Sequence, residues 1–213
     1  MASVMNLAAA ERADLADLLE SLTLEQWQAP SLCGDWTVRE VVAHMVSWDA
    51  LGYRDTVTLL GRNRLSINRA NPAGVKAYAG MSPAALVGLF RAHPRPRGLS
   101  AVFGGRIGLT DGLIHHQDIR RALGLPREIP PERLAAVLGF LPRALPLPSR
   151  RDVRGLRLAA TDLDWVSGQG PEVSGPGEAL LMTIAGREPA LADLAGPGVP
   201  VLTERLTARL SST

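Results

Sequence analysis

Helix-start and helix-stop signals punctuate the chain up to residue 147, and they leave little room for anything but packed helices. At residues 37–40 the run TVRE fits a capping box: Thr37 accepts from an orphan amide of the first turn while Glu40 reaches back. The helix it opens, VREVVAHMVSWDALGYRDTVTLL, is expected to run to about Leu60. Ahead of it, residues 3–22 place Val4, Leu7, Ala8, Leu15, Leu18, Leu19 and Leu22 close to helical spacing. Between these two helices lies a loop containing Trp27, Pro30 and Gly34, and after Leu60 a long connection rich in Gly, Asn and Arg. Ser82-Pro83 starts a third helix, with serine as N-cap and proline at the first helical position. That helix stops near His93, which reads as a cap. A loop over 95–105 leads to a fourth helix from about Ile107 to Leu123, closed by Gly124 and Pro126. PPERLAAVLGFLP at 130–142 is a shorter fifth.

After Pro148 the pattern changes period. GLRLAATDLDWVSG alternates as one or two strands with a turn near Thr161-Asp162, and GPGEALLMTIAGR (175–187) is a helix with a glycine stop. VPVLTERLTARL closes the chain. The expected fold class is therefore mainly α with a small α+β part: a helical bundle over 1–147 and a small C-terminal α/β domain over 148–213.

Composition removes several functions from consideration. The 213 residues are 46% hydrophobic and carry a formal net charge of +2, with arginines scattered rather than striped, which argues against a nucleic-acid partner. Cys33 is the sole cysteine, so an intrachain disulfide or a multi-cysteine zinc cluster is ruled out. No apolar run approaches the roughly 18 residues of a membrane span. The first residues lack the basic start and apolar core of a signal peptide. A cytoplasmic protein acting on a small-molecule substrate, away from membranes, is expected; the oligomeric state stays open.

The chemistry is concentrated in DGLIHHQDIRRALG, residues 111–124, which holds two of the chain's four histidines. Asp111 and His115 are four apart, so on a helix they share a face and can converge on one ion. His116 is rotated by about 100° from His115. Asp118 lies on the stripe of Asp111 and His115 and suits the task of holding an imidazole in its ligating tautomer. A third ligand has to come from elsewhere, and the best candidate is His44, set among Val41, Val42, Met45 and Val46. Two histidines and one carboxylate leave coordination positions for water or substrate. The competing reading makes His44 a satisfied core histidine and the Asp111–His115 pair a solvated polar face.

The segment LCGDWTVREVVAHMVSWD resembles the N-terminal signature of the DinB-like, mycothiol-dependent maleylpyruvate isomerase family, with Trp36, Thr37 and His44 in the matching positions. Asp111, His115 and Asp118 match the family's acid–histidine–aspartate signature, except that aspartate replaces the usual glutamate. LLMTIAGR, ending in Gly186 and Arg187, matches a C-terminal helix that closes in glycine-arginine. The resemblance implies a four-helix bundle in which His44, Asp111 and His115 bind one divalent metal ion, commonly zinc. It also implies an appended α/β domain that helps enclose the site, mycothiol as the thiol cosubstrate, and a catalytic arginine, Arg187. The shorter carboxylate of Asp111 leaves the identity of the metal open.

A divalent ion lowers the pKa of a bound thiol from about 8.5, so that thiolate dominates at neutral pH. Such a thiolate can add reversibly to an electrophilic carbon, giving isomerisation, or stay on it, giving S-transfer. The guanidinium of Arg187 matches a substrate carboxylate, and the alternative is a surface arginine at a helix C-terminus. His116 either lines the cofactor pocket or packs between helices; Arg106 faces either the site or solvent. Trp36, Trp48 and Trp165 read as core and pocket wall, and Cys33 as a small buried loop cysteine. Two rival functions remain: a thiol-independent metal-dependent hydrolase with a water nucleophile, and a non-catalytic metal or small-ligand binding protein.

Overall fold

The capping signals act where the sequence places them. The computed structural model describes residues 2–141 and 151–210. In it Ser3 caps α1 (Val4–Ser21), Thr37 and Glu40 close a full capping box on α3 (Val38–Ala50), and Ser82 with Pro83 opens α6 (Pro83–Ala92). The fourth expected helix is α7 (Arg106–Ala122), whose C-terminal turn ends on Gly124 at φ +65°. A short helix, α2 (Leu24–Gln28), sits in the loop before α3 with its own Thr23–Gln26 capping box.

Helices α1, α3, α6 and α7 form the bundle: α1 lies against α6 and α7, and α3 lies against the same two. Leu15 and Leu19 of α1, Val41 and Met45 of α3, Phe90 of α6 and Ile119 of α7 meet in one apolar core. Burying each such side chain stabilises the fold by roughly 1.5–3 kcal/mol. A buried ion pair also crosses it, Arg12 to Asp49 at 2.7 Å, with the guanidinium over the Phe90 ring and its Nε donating to the His93 carbonyl.

Two stretches differ from the sequence expectation. The helix expected to reach Leu60 breaks: Leu51 is extended, Gly52 becomes an N-cap, and α4 (Tyr53–Arg62) starts in a new direction. Glycine in a helix interior costs about 1 kcal/mol relative to alanine. The break also lets Gly98 pack onto the last carbonyls of α3; a Cβ there would lie 2.8 Å from the Leu51 oxygen. The connection after Leu60 contains α5 (Ile67–Tyr78), helical in spite of Pro72. Its support is tertiary, because Gly74 sits directly on Ser47 of α3, and the Trp48 indole donates to the Asn71 side chain.

The chain divides into two compact units, Met1–Glu128 and Ile129–Thr213. The boundary read at 147 falls within 142–150, outside the described residues. The fifth expected helix, α8 (Pro131–Phe140), groups with the second unit, where it packs on α9 (Gly177–Ile184). The second unit holds a three-stranded sheet of order β2-β1-β3. In it β1 (Arg157–Ala160) pairs antiparallel with β2 (Val166–Ser167) and parallel with β3 (Glu172–Gly175). Leu158 and Val173 turn their side chains inward, and α10 (Val199–Leu210) contributes buried Leu202 and Leu206.

A polar network locks α1 to α7. His116 is fully buried, with Nδ1 2.7 Å from Glu11 Oε1 and Nε2 accepting from the Arg120 guanidinium. Arg127 donates to both carboxylate oxygens of Glu11 and to Gln117. Both ring nitrogens of His116 are engaged with protein groups inside the bundle, which favours the helix-packing alternative over cofactor binding. Burial works against the charge of Glu11, but His116 and Arg127 outweigh it and hold the carboxyl at about 2, down from 4.5. A depressed carboxyl pKa stabilises the fold above its unfolded value, and that contribution fades as pH falls from 4.5 towards about 2. Glu11→Gln is expected to cost roughly 3 kcal/mol at neutral pH. Denaturant titrations should show the difference from wild type shrinking between pH 4.5 and 2; a constant difference across that window would contradict this account.

Candidate metal centre

The middle of α3, at His44, and the two turns of α7 from Asp111 to Asp118 supply the polar groups of the candidate site, joined by Cys33 from the loop before α3. His44 points from α3 out of an apolar stretch, with its ring 5.1 Å from the Trp36 ring and 5.0 Å from the His115 ring. His115 Nε2 is 3.4 Å from Asp111 Oδ1, and His44 Nε2 is 3.9 Å from the same oxygen. One ligand atom from each of His44, Asp111 and His115 thus falls within a 4.8 Å cluster. Both imidazoles are buried, whereas the Asp111 side chain keeps 36% of its surface exposed, so the cluster opens on the Asp111 side.

His115 is oriented from behind. Its Nδ1 is 2.9 Å from Oδ2 of Asp118, a residue with no exposed surface. That contact holds a proton on Nδ1 and turns Nε2 towards Asp111, so that Nε2 becomes a ligand once its own proton is lost. Burial disfavours a charged His115, but Asp111, then Asp118 and the Cys33 thiol, raise its pKa well above the ordinary range. Enclosure likewise opposes the charge of Asp111, yet His115 and His44 hold that carboxyl far below its usual value. The cluster therefore carries a committed carboxylate facing two nitrogen donors.

The donor set fits a small divalent ion. Two ligands about 2.1 Å from a tetrahedral centre lie roughly 3.4 Å apart, which is the spacing of His115 and Asp111. The His44 distance needs to close by about half an ångström, within the reach of a side-chain adjustment. Three protein donors with one exposed edge leave a position for a further ligand, the pattern of catalytic rather than structural zinc sites.

Arg106 is exposed, its guanidinium donating to the Phe103 carbonyl. His93 ends α6, and its ring Nδ1 is 3.2 Å from the Arg97 guanidinium. Arg187 stands just past α9 in the second unit, half-buried, with Nη1 donating to the Ala185 carbonyl. Trp165 lies in the second unit as well, at the turn from β1 to β2. One residue that the sequence reading set aside does arrive at the site. Cys33 lies in the loop before α3, and its sulfur clusters within 4.8 Å of ligand atoms of His115 and Asp118. The signal that could have found it is the tight loop SLCGDW, which ties itself to α7 through Leu32 N–H donating to the Asp118 carbonyl.

Residues 8–93 match the family described as mycothiol maleylpyruvate isomerase N-terminal domain, a span that includes His44 and stops before Asp111. No curated protein matches the chain in sequence. Among solved structures, a crystal structure of the mycothiol-dependent maleylpyruvate isomerase carrying a histidine-to-alanine substitution aligns with a TM-score of 0.55 at 14% identity. The alignment covers 92% of this chain and 96% of that one. A second crystal structure of the mycothiol-dependent maleylpyruvate isomerase aligns at 0.52 and 16% identity, covering 88% and 92%. At such identities the likeness is one of fold. Residues 8–93 are thus similar to the mycothiol maleylpyruvate isomerase N-terminal domain, and the chain shares the fold of those structures, the DinB-like bundle that the sequence resemblance implied.

Proposed function

We propose that the protein is a metal-dependent enzyme that uses a low-molecular-weight thiol, mycothiol, for isomerisation or S-transfer on a small electrophilic substrate. The observation that carries this reading is the convergence of His44, Asp111 and His115, from two helices, within 4.8 Å. The family match over residues 8–93 supports the thiol. His44, Asp111 and His115 are the proposed ligands of one divalent ion, zinc by its preference for nitrogen and oxygen donors in this number. When bound, such an ion lowers the pKa of an arriving thiol and so supplies a nucleophile at neutral pH.

The chain's own residues supply orientation and charge. Asp118 holds the His115 ring with Nε2 turned towards Asp111. Trp36 covers the His44 ring and limits the rotamers open to it. Arg187 is the residue we assign to a substrate carboxylate, on the strength of its place after Gly186 at the end of α9. Attack of the thiolate on an electrophilic carbon followed by its departure returns an isomer, whereas retention of the carbon–sulfur bond is S-transfer. Cytoplasmic location accords with the supply of a reduced small thiol, and no helix among the described residues is long and apolar enough to cross a membrane.

Metal analysis of the purified protein should give one divalent ion per chain, lost in His44→Ala and in His115→Ala. Asp118→Asn should weaken metal affinity roughly ten- to a hundredfold while the fold persists. With cobalt in place of the native ion, mycothiol added to Cys33→Ser should produce a sulfur-to-cobalt charge-transfer band. No spectral change on adding thiol, with turnover unaltered, would replace this reading by a water-based hydrolase. For a carboxylate-bearing substrate, Arg187→Ala should raise KM at least tenfold with metal content unchanged; an unaltered KM would remove Arg187 from substrate binding.

A further inference from the structure

The Cys33 cluster has a chemistry that the metal-centre reading does not use. Cys33 sulfur, one nitrogen of His115 and one carboxylate oxygen of Asp118 lie within 4.8 Å of one another. His115 and Asp118 are almost wholly buried, and Cys33 is half-buried in a loop with little freedom. The Cys33 amide donates to Ser31 Oγ, its carbonyl accepts from the Trp36 amide, and Gly34 takes the left-handed backbone at φ +59°. The Leu32 amide donates to the Asp118 backbone carbonyl, so loop and helix are joined at the cluster itself.

We infer that Cys33, His115 and Asp118 form a second cation position, selective for a soft, thiophilic divalent ion such as cadmium. Three arguments carry it. The donor set is mixed sulfur, nitrogen and oxygen, and thiolate ligands select soft cations over the harder ions that carboxylates prefer. The charge balances: a thiolate and a carboxylate contribute two negative charges, which a divalent ion neutralises in a largely buried place where an uncompensated pair would be costly. The donors are also held by backbone hydrogen bonds on both the loop and the helix, so binding requires little ordering. On binding, the sulfur–hydrogen bond of Cys33 and the nitrogen–hydrogen bond at the ligating nitrogen of His115 break, sulfur–metal and nitrogen–metal bonds form, and both protons pass to solvent.

The two cation positions share His115 and compete for it. A cation drawn between sulfur and Asp118 takes that carboxylate away from the Nδ1 it orients, and so loosens the His44–Asp111–His115 set. Thiophilic cations are therefore expected to displace the ion of the first position. The second position does not depend on the proposed thiol chemistry, nor on His44.

Cysteine count makes the test direct, since any sulfur-to-metal band must come from Cys33. Metal-free protein is titrated with cadmium alone and followed by the ultraviolet sulfur-to-cadmium charge-transfer absorption. The expected result is a band saturating at one equivalent, kept in His44→Ala, abolished in Cys33→Ser, and weakened roughly tenfold or more in Asp118→Asn. Circular dichroism checks that each variant is folded. Should Asp118→Asn unfold, Cys33→Ser and His44→Ala carry the comparison. Absence of the band in wild type overturns the inference, as does a band whose affinity is unchanged in folded Asp118→Asn. Loss of the band in His44→Ala also overturns it, because the sulfur would then belong to a single site with His44. Cobalt binding by Cys33→Ser separates this outcome from failure of the first metal site, since that site needs no sulfur.

Discussion

The hydrogen bond between His116 and Glu11 sets the rotation of α7, and everything chemical in the first unit depends on that rotation. Two adjacent histidines on one helix must face directions about 100° apart. At 2.7 Å from a buried carboxylate, and with Arg120 on its other nitrogen, His116 has a single place to be. Its neighbour is thereby turned about 100° away, towards His44. Asp118 then fixes the second angle of freedom, the tilt of the His115 ring, from one turn further along the same helix. Helix position and ring orientation are set by different carboxylates on different elements. A residue whose only visible partners are structural can thus decide where a functional one points.

The helices were legible because their ends are written in short-range chemistry. Thr37 and Glu40 lie three residues apart, as do the atoms they satisfy, and Ser82-Pro83 is read in the same way. The candidate metal ligands were legible because Asp111, His115 and Asp118 fall at helical spacing, and the lone imidazole of His44 stands out in an apolar run. What escaped has no local trace. Glu11 looks like an ordinary surface acid of an amphipathic helix; only the tertiary approach of His116 and Arg127 makes it a buried anion. The helix break at Leu51–Gly52 makes room for Gly98 from a distant loop, and α5 is helical against its own composition with Ser47 and Trp48 of α3 receiving it.

Cys33 illustrates the same limit from the chemical side. Proximity in sequence assigns it no histidine, and proximity in space gives it one through a backbone hydrogen bond from the preceding residue to Asp118. At position 111 the resemblance led us to expect glutamate, and the aspartate found there is legible as a change of reach, one methylene shorter. In space, a 3.4 Å approach to His115 shows that the shorter side chain still meets its partner, with the longer 3.9 Å gap falling on His44.

His44 and the Asp111–His115 pair come from helices separated by α4, α5 and α6. An ion that needs all three donors finds no such group in the extended chain, so it binds the native state and not the unfolded one. Its free concentration then becomes a lever on the folding equilibrium, adding RT ln(1 + [L]/Kd) to stability. If the proposed ion is bound at that site, starving a cell of it would draw down the amount of folded protein together with its loaded site.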